Sequence, residues 1–141
     1  MINLRSPYDR SVADTMFWAR LIDKVRLYQD GDLPEDYSGV LGHKLGTDGQ
    51  FLGHFGLSFD QVTEAVPGKD DTALATWLEE VVDDFPAKRD SWNELAPELG
   101  KDGTAMERGF KYAIRKYFPD TDPPAGVDTI FGLIEFDESR A

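Results

Sequence analysis

The chain contains no cysteine, which excludes disulfide scaffolds, cysteine-ligated zinc, iron–sulfur clusters and thiol catalysis. Histidine is nearly absent too, so chemistry resting on imidazole has only His43 and His54 to use. No apolar run approaches the roughly 20 residues that span a bilayer, and Met1 to Tyr8 lacks the apolar stretch of a signal peptide. Positive charge is scarce, with 15 Lys and Arg against 27 Asp and Glu, and the net charge of −12 repels phosphate backbones and anionic headgroups. These absences predict a soluble, cytoplasmic protein that binds neither nucleic acid nor membrane.

What is present is a chain of 141 residues, 40% hydrophobic and 12% aromatic, long enough for one core and short for two domains. It reads as a single domain over residues 1–141, all-α, with about five to seven helices and a glycine-rich loop region. Aspartate outnumbers glutamate 18 to 9, and Asp favours N-caps where Glu favours helix interiors. Asp48, Asp70 or Asp71, Asp102 and Asp128 each precede an apolar-periodic run, and Ser58-x-x-Gln61 has capping-box spacing. Most of the acidity is thus assigned to capping and solvation.

Three segments carry clean helical periodicity. From about Val12 to Gln29, capped by Ser11, the residues Phe17, Trp18, Leu21, Ile22, Val25 and Tyr28 share one arc. Met16 and Leu27 fall opposite, which predicts a central helix contacted on both sides. Asp23 lies three residues from both Arg20 and Arg26, so a local ion pair is expected. The second segment starts at Asp70 or Asp71 and turns Leu74, Trp77, Leu78, Val81 and Phe85 inward. Pro86 then interrupts the chain, and loops are expected around a short Trp92-bearing helix that Pro97 and Gly100 end. The third runs from Gly103 to Phe118, with Met106, Phe110, Ala113, Ile114 and Tyr117 inward and Arg108, Lys111 and Arg115 on one outer strip. Pro119, Pro123, Pro124 and Gly126 form a stiff connector, and the apolar tail Val127 to Phe136 reads as helix.

Between the first two segments the reading is a loop, then a short helix over Gly49 to Phe55 capped by Thr47 or Asp48 and stopped by a left-handed Gly56. Another short helix covers Phe59 to Val66 and ends at Pro67-Gly68. This stretch holds Leu41-Gly42-His43 and Leu52-Gly53-His54 among Gly39, Gly42, Gly46, Gly49, Gly53 and Gly56. Imidazole titrates near neutrality and ligates metals, and glycine permits tight backbone approach. The candidate ligand-binding residues are therefore Tyr37, His43, Asp48 and His54, with Lys44 and Gln50 as polar neighbours. Two imidazoles and a carboxylate are able to hold zinc or iron. Helical metal pairs sit three or four residues apart, however, and these histidines are 11 apart. The competing structural reading makes His43 a surface loop residue and His54 a packed helix residue. Neither P-loop, dinucleotide fingerprint nor nucleophile elbow is present, and Asp30-Gly31-Asp32 with Glu35 and Asp36 misses the calcium-loop register. No cofactor is expected.

Leu4-Arg5-Ser6-Pro7-Tyr8, Ala19 to Arg26 and Leu33-Pro34-Glu35-Asp36-Tyr37 resemble the opening of a small, chiefly bacterial family defined only as a domain of unknown function, family 5069. Asp48 to Gly56, Asp70 to Leu78, Trp92-Asn93 and Thr129 to Glu138 resemble its later blocks. The resemblance implies an all-helical domain and carries no activity, cofactor or catalytic residue to transfer. Two functional readings follow. The favoured one is a non-catalytic binding or adaptor module that meets a protein or small ligand through the glycine-rich loop and neighbouring apolar surface. The alternative is a small metal-binding protein or enzyme using His43, His54 and Asp48.

Overall fold

A computed structural model describes residues 3–117 and 126–139. Among them lie eight α-helices and no strand: α1 (Trp18–Gln29), α2 (Glu35–Ser38), α3 (Thr47–Phe55), α4 (Phe59–Ala65), α5 (Asp71–Val81), α6 (Phe85–Leu95), α7 (Glu107–Tyr117) and α8 (Ile130–Ser139). A short 3₁₀ turn occupies Ala96–Glu98. The all-α expectation holds, and the helix beyond the expected range is α2, a single turn inside the segment read as loop. The chain divides into two compact units, Met1–Asn93 and Glu94–Ala141.

In the first unit α1 is buried over its first eight residues apart from half-buried Asp23, but not by the expected two-sided apolar pattern: Met16 precedes the helix, Leu27 is only half-buried, and Tyr28 of the inward arc is exposed because it lies in the last turn. Trp18, Ala19, Arg20, Leu21, Ile22, Lys24 and Val25 are all buried. The Trp18 ring stacks between Phe51 of α3, 5.7 Å away with planes 4° apart, and Trp77 of α5, 5.9 Å away. Phe51 also meets the edge of Trp92 of α6 at 5.5 Å and Phe55 at 4.8 Å. Such ring pairs each add about 0.5–1.5 kcal/mol beyond their area burial.

The start of α1 differs from the sequence reading. The helix begins at Trp18, not near Val12, and Ser11 does not cap it, because Ala13, Asp14 and Phe17 adopt left-handed conformations with φ of 57°, 51° and 71°. Such residues cost energy outside glycine and persist only where the surroundings hold them. Here Met16 N donates to Asn93 Oδ1 at 2.9 Å and Asn93 Nδ2 donates to the Asp14 carbonyl at 2.8 Å. Trp92 Nε1 donates to the Met16 carbonyl at 2.9 Å, and Phe17 N donates to the Pro7 carbonyl at 2.9 Å.

Local signals place the next helices well. Ser58 and Gln61 form a reciprocal capping box on α4, and Asp70 caps α5 by accepting from Ala73 N. Gly56 (φ 70°) stops α3 while Leu57 N donates back to the Leu52 carbonyl at 2.9 Å, a Schellman closure. Leu74 and Leu78 of α5 are buried, but Val81 is exposed. Phe85 is buried from α6 instead, since the chain turns through Asp84 (φ 53°) between the two helices. Pro86 does not interrupt the chain. It sits in the first turn of α6, where its missing N–H costs nothing, and the expected loops are an 11-residue helix.

In the second unit α7 begins at Glu107 rather than Gly103, behind a left-handed Met106 (φ 69°). Phe110 and Ile114 of α7 form the core with Ile130 and Leu133 of α8. The tail is helical as expected, and Thr129 rather than Asp128 caps it, its hydroxyl accepting from Gly132 N at 3.0 Å. The connector prolines Pro119, Pro123 and Pro124, Phe118 and the Tyr117 side chain lie outside the described residues.

Candidate functional site

The glycine-rich stretch folds half as turns, residues 39–46, and half as α3. Asp48 is not the cap expected of it. Gly46 takes that position, and Asp48 lies inside the first turn, only 2% exposed. One carboxylate oxygen pairs with Lys24 Nζ of α1, and the other accepts from Gly42 N at 2.8 Å. Lys24 in turn sits 5.0 Å above the Phe17 ring. Burying two charges carries a desolvation cost that their attraction offsets only with good geometry. What this pair secures is position, because it fixes the backbone of the loop to α1 and α3.

Two glycines let the loop come this close. At Gly42 (φ +71°) a Cβ would lie 2.6 Å from the Phe59 ring, and at Gly49 it would lie 2.3 Å from the Lys44 carbonyl oxygen. On the outside the loop displays Leu45, 81% exposed, and Val40, 57% exposed. His43 is exposed beside them, its Nδ1 accepting from Leu45 N at 3.1 Å, which tightens the loop tip. Tyr37, at the end of α2, is half-buried.

His54 belongs to a different neighbourhood. Its Nε2 lies 3.0 Å from the Lys88 carbonyl and 2.9 Å from Ser91 Oγ, both on α6, and its ring packs against Phe55 and Trp92. Ser91 Oγ donates to the same carbonyl at 3.0 Å. A carbonyl only accepts, so the tautomer that satisfies all three contacts carries its proton on Nε2 and donates to both oxygens. In that tautomer His54 is not placed to take a proton from Ser91; it ties α3 to α6. Asp48 thus ends on Lys24, His43 on its own loop and His54 on α6. Among the described residues no three His, Asp or Glu side chains are grouped to hold a metal ion.

Sequence spacing missed a second ionic network. Asp23 pairs with neither Arg20 nor Arg26 as expected, but with Arg5, whose Nη2, Nε and backbone N reach it at 3.0, 3.1 and 2.8 Å. Arg5 also reaches Asp71 at 2.8 Å, and Arg26 reaches Asp71 at 3.1 Å. The hydrogen bond from Arg5, with its positive charge and that of Arg26, holds the Asp71 carboxyl below the usual carboxylate range. Burial is the largest single influence on Arg5 and opposes its charge, yet the bonds to Asp23 and Asp71 raise its pKa. No periodicity signals a partner 18 or 66 residues away.

In the second unit a depression of about 460 Å³ is lined by Gly100, Lys101, Asp102, Phe110, Lys111, Val127 and Asp128. It carries both signs of charge, and Lys111 is already 3.3 Å from Asp102. No described helix is long and apolar enough to cross a membrane. No curated protein matches the sequence. A family model does, over residues 2–140, nearly the whole length. The chain therefore belongs to the family described as domain of unknown function (DUF5069).

Proposed function

We propose that this protein is a non-catalytic binding module, acting in the cytoplasm, that meets a protein partner through residues 39–46. The observation that carries the reading is the pairing of an exposed apolar tip, Val40 and Leu45, with a buried Lys24–Asp48 anchor beneath it. Exposed large aliphatic side chains gain nothing in water, and a rigid loop loses little entropy on docking. The tip is an outward-facing turn rather than a cavity, which suits a protein surface better than a small molecule. His43 and Lys44, exposed in the same loop, supply polar groups for a rim.

A photoreactive side chain placed at Leu45 tests this in living cells. The expected outcome is one adduct of discrete mass, lost when Val40→Asp is added and not formed when the photoreactive group is placed at exposed Glu79 instead. Identical adduct patterns from the Leu45 and Glu79 positions would end the assignment.

A further inference from the structure

The outer face of α7 has no counterpart elsewhere in the described chain. Helix positions advance by about 100° per residue, which sets Arg108, Lys111, Tyr112, Arg115 and Lys116 on one arc, all exposed, opposite the buried Phe110 and Ile114. Four cations and no carboxylate occupy that arc, on a chain of net charge −12; Lys111 reaches off it to Asp102 at 3.3 Å and Glu107 at 3.7 Å, so the weight rests on the two arginines. Acidic partners are abundant in this molecule and its other described arginines use them or a carbonyl. Arg5, Arg10, Arg26 and Arg89 form ion pairs, and Arg20 donates to the Arg5 carbonyl. Among the described arginines, only Arg108 and Arg115 make no side-chain hydrogen bond or ion pair. Tyr112, 58% exposed, stands between them with Lys116 Nζ 5.8 Å from its ring.

We propose that this face of α7 docks an extended acidic polypeptide segment. A guanidinium matches a carboxylate with two parallel hydrogen bonds, and Tyr112 offers an aromatic platform for the stem of a Glu side chain. The geometry suits a short strand. Arg108 and Arg115 are separated by about 10 Å along the helix axis at 1.5 Å per residue, and carboxylates on alternate residues of an extended chain repeat at about 7 Å. About four residues of an extended chain therefore span the two arginines, and a peptide a little longer covers the stripe. A long polyanion is a poorer occupant, because duplex DNA or a vesicle would also face the remaining acidic surface, whereas a short peptide meets only the stripe.

The test is fluorescence anisotropy on the full chain with a labelled eight-residue peptide of alternating glutamate and serine, and with its glutamine counterpart as control. The expected result is binding of the glutamate peptide in the range of about 10 to 100 μM, absent for the glutamine peptide. Raising NaCl from about 50 to about 300 mM should weaken it at least tenfold. Arg108→Glu/Arg115→Glu should abolish it, Arg108→Gln/Arg115→Gln should weaken it at least fivefold, roughly, and Arg10→Glu should leave it unchanged. Circular dichroism of each variant confirms the fold. No binding by the parent protein, equal binding of both peptides, undiminished binding by either double variant, or tighter binding to duplex DNA or phosphatidylserine vesicles would overturn the proposal.

Discussion

Asp48 answers two groups at once, the Lys24 ammonium and the Gly42 amide. Asp48→Asn removes the charge that faces the buried Lys24 ammonium beside Phe17. Breaking a buried pair from one side costs about 3 to 5 kcal/mol, and denaturant unfolding of the variant should show a loss of that size. A loss below about 1 kcal/mol would mean that Lys24 escapes to water and that the pair does not fix the loop. Asp71 gives a different signature. Its folded pKa lies below the ordinary 3.8, chiefly through the hydrogen bond from Arg5. The native state thus binds fewer protons than the unfolded chain at that carboxyl, so its stabilisation is complete above pH 3.8 and is lost as pH falls through the folded value. In Asp71→Asn, stability measured from pH 5 down to about 2 should fall less steeply than in the parent. An unchanged slope would show that the network of Arg5, Arg26 and Asp71 contributes nothing. Neither partnership was legible in the sequence: Asp48 reads as a cap and Asp23 as a local partner of Arg20 or Arg26, because spacing reports only neighbours on one helix.

At the scale of elements, what could be read and what could not follow the range of the interactions. Ser58-x-x-Gln61, Asp70 and Gly56 mark α4, α5 and the end of α3 correctly because a cap is completed within a few residues of itself. The beginning of α1 is decided 77 residues away, where the Asn93 amide takes the Met16 N–H and donates to the Asp14 carbonyl. Continuous apolar periodicity from Val12 says nothing of three left-handed residues in a row of five. Asn93→Ala orphans both backbone groups in a strained turn and should cost on the order of 1 to 3 kcal/mol, measured by urea unfolding. Hydrogen exchange at Met16 and Phe17 should accelerate more than at Leu21 or Ile22. Uniform acceleration along α1, or none, would show that Asn93 does not hold the turn. Pro86 carries the same lesson in reverse: the residue type marks a boundary, and only the fold shows that the boundary is a start.

For the molecule as a whole, charge is the property best read from composition and least informative about architecture. With 27 acidic against 15 basic residues, the folded chain repels itself, and screening relieves this. The thermal midpoint should therefore rise as NaCl goes from about 10 to about 150 mM; a fall would mean that the ion pairs of Arg5, Lys24 and Arg26 outweigh the net repulsion. The sequence by itself determined the helical class, the inward residues Leu74, Leu78, Phe110 and Ile114, the caps of α4 and α5 and the outward strip of α7. Each rests on helical period or on bonds closed within one turn, which contiguous residues encode. The tertiary structure alone decided that His54 serves α6 while His43 serves its own loop, that Asp48 meets Lys24, and that Arg5 gathers Asp23 and Asp71. Those partners are distant along the chain, and packing, not spacing, sets which side chains meet.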